Sequence, residues 1–203
     1  MTDAAPEPGP DRASPYVLVL ASSSPRRFAL LAQIGIVPHA IIAPEIDETP
    51  CKAELPRPYA ARMARAKAGA VLCPGRFVLA ADTVVAVGRR ILPKAATEGE
   101  ARTCIDLLSG RRHRVLTSVV VTAPDGRRAE RVSESVVAFA RLTEAQKSAW
   151  LALGEWNGKA GGYAINGAAA SFVRFLSGSF SGVVGLPLFE TAQMLRGFGW
   201  PLP

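Results

Sequence analysis

At 203 residues, with 49% hydrophobic and 20% charged side chains, the chain has the make-up of one substantial globular domain rather than a disordered polymer. No stretch of eighteen apolar residues occurs, so a membrane-spanning helix is not expected. The formal net charge of +7 suits an anionic ligand such as nucleotide, nucleic acid or acidic lipid, although an Arg- and Ala-rich genome would leave the same trace.

Met1 to Pro15 is rich in Pro, Ala and Asp and has no apolar core of a secretory signal; a disordered tail is expected there, followed by a single domain over residues 16–203. The apolar run Val17–Ala21 reads as a short buried strand. Ser24-Pro25 then looks like a helix N-cap with proline at the first helical position, and Phe28, Leu30, Leu31 and Ile34 keep helical spacing up to a stop at Gly35. A second helix is expected over about 58–72, with Tyr59, Met63, Ala66 and Ala70 on one face. Phe77–Val87 reads as a strand that turns through Gly88-Arg89-Arg90 into Ile91-Leu92.

Thr97 with Glu100 forms a capping box for a helix to Leu108. Val115–Thr122 is strongly β-like, and Pro124-Asp125-Gly126 turns it into a returning strand that ends near Ala140. Thr143 with Gln146 opens another helix to about Leu153. A glycine-rich loop, Gly154–Gly167, leads to a strand over Phe172–Leu176, and a last helix spans about Leu188–Leu195. Helices interspersed with strands, one pair of them a hairpin, argue for an α/β fold with a mixed sheet.

Several segments could carry chemistry. Ser22-Ser23-Ser24-Pro25-Arg26-Arg27 places hydroxyls and two guanidiniums at a helix N-terminus, a cradle for phosphate; a capped helix with solvated arginines has the same pattern. Asp82-Thr83 interrupts an apolar run, so its carboxylate must reach solvent, a metal or a donor. Glu45, Asp47 and Glu48 could offer oxygens to Mg²⁺ or Mn²⁺, or be loop acids in water. Lys67 and Lys94 each read as surface lysines when taken alone, and as phosphate neutralisers when taken with the arginines and acids. Gly158-Lys159-Ala160 is not a P-loop, because Gly154 is one residue too near and Ala160 stands where a hydroxyl is needed. His113 has no Ser or Cys partner motif. Cys51, Cys73 and Cys104 are too scattered for a disulfide framework or zinc site, which suits reduced thiols in the cytoplasm.

In order and spacing, LASSSPRRFALLAQIGI, PEIDE, RMARAKA, AADTVV, PKA, LLSGRRHRVLTSVVV, GKAGGYAINGAA and SGSFSGVVGLPLFET resemble the Maf family of nucleotide pyrophosphatases over residues 16–196. The resemblance implies an elongated mixed β-sheet flanked by helices, with two lobes around a central cleft, as in inosine-triphosphatase-like folds. It implies hydrolysis of nucleoside triphosphates between the α and β phosphates with a divalent cation, Mg²⁺ or Mn²⁺. Ser22, Arg26 and Arg27 match the phosphate-binding loop, Asp82 the catalytic base or metal-proximal acid, Glu48 a metal-side acid, and Lys67 and Lys94 further cleft positions. Arg26, Thr83 and Asn166 match positions that separate dTTP/UTP enzymes from 7-methyl-GTP enzymes; the first two follow the pyrimidine branch, while Asn166 replaces its usual glutamine. Leu92-Pro93-Lys94-Ala95 departs from the common Gly-Lys-Pro. The expected partners are a nucleotide and a second copy of the chain, with no stable nucleic-acid or membrane association. A nucleotide-binding regulator of cell division is the alternative reading.

Overall fold

The computed structural model describes residues 16–202; the tail expected over residues 1–15 lies outside them. In chain order the elements are β1 (Leu18–Ala21), α1 (Pro25–Gln33), β2 (Ala40–Ile41), α2 (Pro56–Ala70), β3 (Phe77–Val87), β4 (Arg90–Leu92), α3 (Glu98–Leu108), β5 (Arg112–Thr122), β6 (Arg128–Phe139), α4 (Glu144–Ala152), β7 (Val173–Ser177), α5 (Phe180–Val184) and α6 (Leu188–Gly197). A 3-10 turn, Ala168–Phe172, precedes β7.

The strands form one mixed sheet in the order β2-β1-β3-β5-β6-β7, with β4 also on β3. β1 runs parallel to β2 and β3, because α1 and α2 serve as crossovers. The remaining pairings are antiparallel, and β5 and β6 form a long hairpin. The mixed α/β sheet flanked by helices is therefore as expected.

Strand alternation assigns β3 to two different cores. Val78, Ala80, Val84 and Ala86 face α2, where Tyr59, Met63, Ala64 and Ala68 cover them. Leu79, Ala81 and Val85 face the larger core, built with side chains of α1, α3, α4, α5 and α6. α2 lies close to its sheet face because Ala60, Ala64 and Ala68 recur every four residues and leave no bulk between helix and strand.

Both expected capping boxes are present, Thr97 with Glu100 and Thr143 with Gln146. Four local expectations are corrected. α2 begins at Pro56 rather than Pro58, since proline at the first helical position forfeits no hydrogen bond. Its buried face includes Ala60, Ala64, Lys67 and Ala68, whereas Ala70 is exposed; helical spacing of apolar residues does not reveal a lysine on the inner face. Ser24 occupies the N-cap position of α1 but its hydroxyl caps nothing. Phe172 ends the 3-10 turn instead of opening β7. The two-residue β2 and the five-residue α5 are too short to leave a periodic pattern in the sequence.

Gly161 adopts φ +64°, and a Cβ placed there would lie 2.7 Å from Val85 Cγ1. Gly161→Ala therefore combines a left-handed backbone with overpacking, and should lower unfolding free energy by about 2–4 kcal/mol in urea titrations. An unchanged midpoint would show that the loop has room to move.

Candidate active site

The sheet leaves one edge open. The β1–β3 ladder ends at the pair Ala21–Ala80, and the β3–β4 ladder starts at Val85–Leu92. Between them, Ala81 to Val84 pair with β5 on one side only. A cleft of about 350 Å³ opens at this window, just beyond the carboxyl end of β1, where ligands commonly bind in α/β sheets. Ser22, Arg26, Arg27, Glu48, Lys67, Asp82, Thr83, Lys94 and Asn166 all line it. Neighbouring residues of β3 point to opposite faces, so Asp82 reaches toward α2 and Thr83 toward α1 and α5.

On the Thr83 side, the Arg27 guanidinium is fixed at three points. Its Nε donates to the Gly185 carbonyl at 2.9 Å, and its two terminal nitrogens donate to Ser22 Oγ at 2.9 Å and Thr83 Oγ1 at 3.3 Å. The buried Thr117 hydroxyl lies 3.0 Å from Thr83 Oγ1 and donates to the Gly182 carbonyl at 2.7 Å. Thr83 thus acts as a brace for Arg27, and α5 is tied to the strand beneath it. Burial lowers the Arg27 pKa, Asp82 and Glu48 oppose that shift, and Arg26 adds to it; the guanidinium stays charged. Arg26, half-buried beside it, has no ion-pair partner among the described residues.

On the α2 side, Lys67 is only 6% exposed and Asp82 only 3%. Lys67 Nζ donates to Asp82 Oδ1 at 2.5 Å and contacts Glu48 Oε1 at 2.8 Å, while Lys94 pairs with the other Glu48 oxygen. The Tyr59 hydroxyl donates to the Glu48 carbonyl at 2.6 Å and fixes the loop backbone. Burial opposes the charged form of Glu48, but hydrogen bonds from Lys67 and Lys94, backed by their charges, bring its pKa down to about 2. Burial raises the Tyr59 hydroxyl to about 12, helped by Asp82 and Glu48, so it remains a donor. Of the acidic cluster, only Glu48 faces the cleft; Asp47 instead accepts from the Thr49 N–H at 2.8 Å.

The glycine-rich loop closes the far rim. Gly158 N–H donates to the Ala95 carbonyl, Ala95 N–H to the Lys159 carbonyl, and Gly161 N–H to the Pro93 carbonyl, so the loop and the Lys94 segment are tied together. Tyr163 turns its hydroxyl to His113 Nε2 at 2.7 Å, inside an edge-on aromatic group with Phe139. Burial lowers the His113 pKa to about 4, leaving a neutral ring in a structural role. Asn166 is exposed at the junction of the cleft and a second groove of about 300 Å³, which Phe180 also lines. Thr117, Lys159 and Gly185 are site residues that sequence reasoning misses. Motif spacing points to their segments, but no local pattern marks the individual residues.

Among the described residues no group of three or more His, Cys, Asp or Glu side chains could by itself hold a metal ion. Glu48 and Asp82, both within reach of Lys67, are the two carboxylates that line the cleft. Such a pair fits a hard cation that takes one or two protein oxygens and draws its other ligands from phosphate and water.

A model of the Maf-like protein family matches residues 17–198. The dTTP/UTP pyrophosphatase of Granulibacter bethesdensis is 60% identical over 199 residues, covering 90% of this chain and 93% of its own. That of Paramagnetospirillum magneticum is 60% identical over 186 residues, covering 91% of this chain and 98% of its own. The Staphylococcus aureus Ham1 protein superposes with a TM-score of 0.43 at 17% identity, over 61% of this chain and 71% of its own, a likeness too slight to carry an argument.

Lys67→Met should destabilise the protein by about 3–5 kcal/mol in denaturant titrations, because it strands the Asp82 carboxylate in the interior. Adding Asp82→Asn should recover much of that loss, and additive effects would refute a coupled pair. Glu48 has a folded pKa of about 2, below its ordinary 4.5. Its stabilising share is therefore complete above about pH 4.5 and is lost as pH falls toward 2. Glu48→Gln should flatten that part of the acid-unfolding curve; a superimposable curve would contradict the ion-pair account.

Proposed function

Because this chain belongs to the Maf family, and because Lys67 holds two carboxylates in a cleft opposite two arginines, we propose that it hydrolyses dTTP and UTP to their monophosphates and pyrophosphate. The Lys67 bridge is the observation that carries the reading. It holds the two carboxylates in place beside a phosphate-sized anion cradle, so little has to reorganise during reaction.

The water oxygen attacks the α phosphorus in line. The bond from that phosphorus to the oxygen bridging the β phosphorus breaks, and pyrophosphate departs with the electron pair. Asp82, at the rim of the strand window, accepts the proton of the attacking water. Arg27, braced at three points, fixes one phosphate; Arg26 adapts to another. Lys67 and Lys94 stabilise the charge that builds on the phosphate oxygens, as such transfers depend chiefly on positioning and electrostatics. A divalent cation, Mg²⁺ or Mn²⁺, would be held by Glu48 and Asp82 together with the substrate. When bound, it neutralises phosphate charge.

Base choice falls to Asn166 at the cleft mouth. Asparagine offers the same donor and acceptor as glutamine with one methylene less reach, which a small shift of a pyrimidine accommodates. Thr83 contributes by holding Arg27.

The test is a pyrophosphate-release panel with Mg²⁺ or Mn²⁺ over dTTP, UTP, CTP and 7-methyl-GTP. Fastest turnover of dTTP and UTP is expected, falling on the order of 10²-fold or more in Asp82→Asn. A preference for 7-methyl-GTP would move the substrate to the other branch. No turnover of any nucleotide would refute the enzyme and favour a nucleotide-binding regulator.

A further inference from the structure

The cations of the cleft are not equivalent. Five line it, Arg26, Arg27, Lys67, Lys94 and Lys159, against the two carboxylates Glu48 and Asp82. Lys67 and Lys94 are engaged by those carboxylates, and three of the five Arg27 N–H groups are taken by Gly185, Ser22 and Thr83. Among the described residues, two of the cleft cations have neither a carboxylate partner nor such a brace. Arg26 is one. Lys159 is the other: its ammonium gives one hydrogen bond, to the Asn157 carbonyl at 3.0 Å, and has two N–H groups left.

Lys159 is also built into the site rather than waving from it. Its own carbonyl accepts from Ala95 N–H at 3.2 Å, its neighbour Ala160 pairs with Lys94, and Gly158 and Gly161 hold the same strip of chain. The side chain is partly buried, and Glu155, the acid nearest in sequence, is occupied in capping the Ala168 N–H at 2.8 Å. Arg26 and Lys159 feel each other's charge; burial lowers the Lys159 pKa and Arg26 lowers it further, with Glu155 opposing. Two partly desolvated cations that repel across a cleft, with no ion-pair partner among the described residues, are completed by a polyanion between them.

We infer that Lys159 is a further substrate-binding residue, whose ammonium grips the terminal phosphates together with Arg26, in the nucleotide and in product pyrophosphate alike. This role presupposes the triphosphate hydrolysis proposed for the cleft. It also gives the glycine-rich loop a chemical role. By carrying Lys159 and bracing Lys94, one loop sets two cations at the leaving-group end.

The experiment compares the parent, Lys159→Gln, Lys159→Arg and Lys52→Gln, the last an exposed lysine away from the cleft. Losing charge-assisted bonds to phosphate should raise KM for the preferred nucleotide, and the inhibition constant of inorganic pyrophosphate, by about tenfold or more in Lys159→Gln. kcat should move far less. Lys159→Arg should recover most of the loss, and Lys52→Gln should match the parent. Calorimetric binding of inorganic tripolyphosphate, which needs no turnover, should weaken in parallel. If tripolyphosphate and pyrophosphate bind Lys159→Gln within twofold of the parent, the assignment fails even where the parent is an active pyrophosphatase. If the parent turns over no nucleotide yet loses tripolyphosphate affinity in Lys159→Gln, the hydrolysis reading fails and the anion contact stands.

Discussion

A lysine ammonium cannot be left bare in a protein interior, and the site is organised around that constraint. Lys67 sits on the inner face of α2, where alanines bring the helix close against β3. Its charge has to be met there, and it is met by Asp82 from the strand and Glu48 from the loop before α2. Three segments distant in sequence are thereby locked at the one stretch of β3 that lacks a neighbour on its outer edge. Lys94 closes the arrangement from the opposite side through the second oxygen of Glu48. Although burial opposes it, Glu48 keeps its ionised form because hydrogen bonds from Lys67 and Lys94 bring its pKa down. The fold thus stabilises, without substrate, the charge pattern that a phosphate-cleaving site requires.

The surplus positive charge has a definite place. Of the net +7 on the chain, three charges arise from the excess of cations over carboxylates lining the cleft. Elsewhere arginines are paired on the surface, as in Arg62 with Glu54, Arg65 with Glu130 and Arg102 with Asp106. Such exposed pairs each contribute about 0–1 kcal/mol and steer little. In the cleft, low solvent access makes each unmatched charge count for more. A division follows between cations held by carboxylates or a multi-point brace, Arg27 above all, and cations with neither. Under the proposed hydrolysis, the rigid ones would fix where a phosphate sits, and the others would follow it as bonds break.

What is legible in the sequence is local. The two capping boxes, the β5–β6 hairpin and the long β3 strand all depend on residues a few positions apart. Asp82 stands out for a physical reason: a carboxylate in an apolar run needs a partner. The partner is not legible, because Lys67 lies on another element and the relevant fact is that α2 crosses the same sheet face. The stripe Tyr59, Met63, Ala66 and Ala70 is right for the buried Tyr59 and Met63 but takes in the exposed Ala70 and leaves out Lys67, since apolar spacing sends a lysine to water. Thr117 and Gly185 carry no local mark either; each matters through one long-range hydrogen bond. The family resemblance gathers the cleft residues into one set, but that Thr83 braces Arg27 is visible only in three dimensions.

The open edge of β3 is itself encoded, and by residues with no charge. Continuing β1 would place Ser22 opposite Ala81, but Ser22 N–H turns back to the Leu20 carbonyl, and Pro25 starts a helix that leads the chain away. Continuing β4 would place Pro93 opposite Val84, where a proline has no N–H to give the ladder. The Pro93 carbonyl is instead taken by Gly161, in the loop that carries Lys159. Two prolines therefore stop the sheet from closing over Asp82 and Thr83. The same two departures deliver Arg26 and Arg27 on one side of the window and Lys94 on the other. The interruption of the sheet and the supply of its cations are a single structural event.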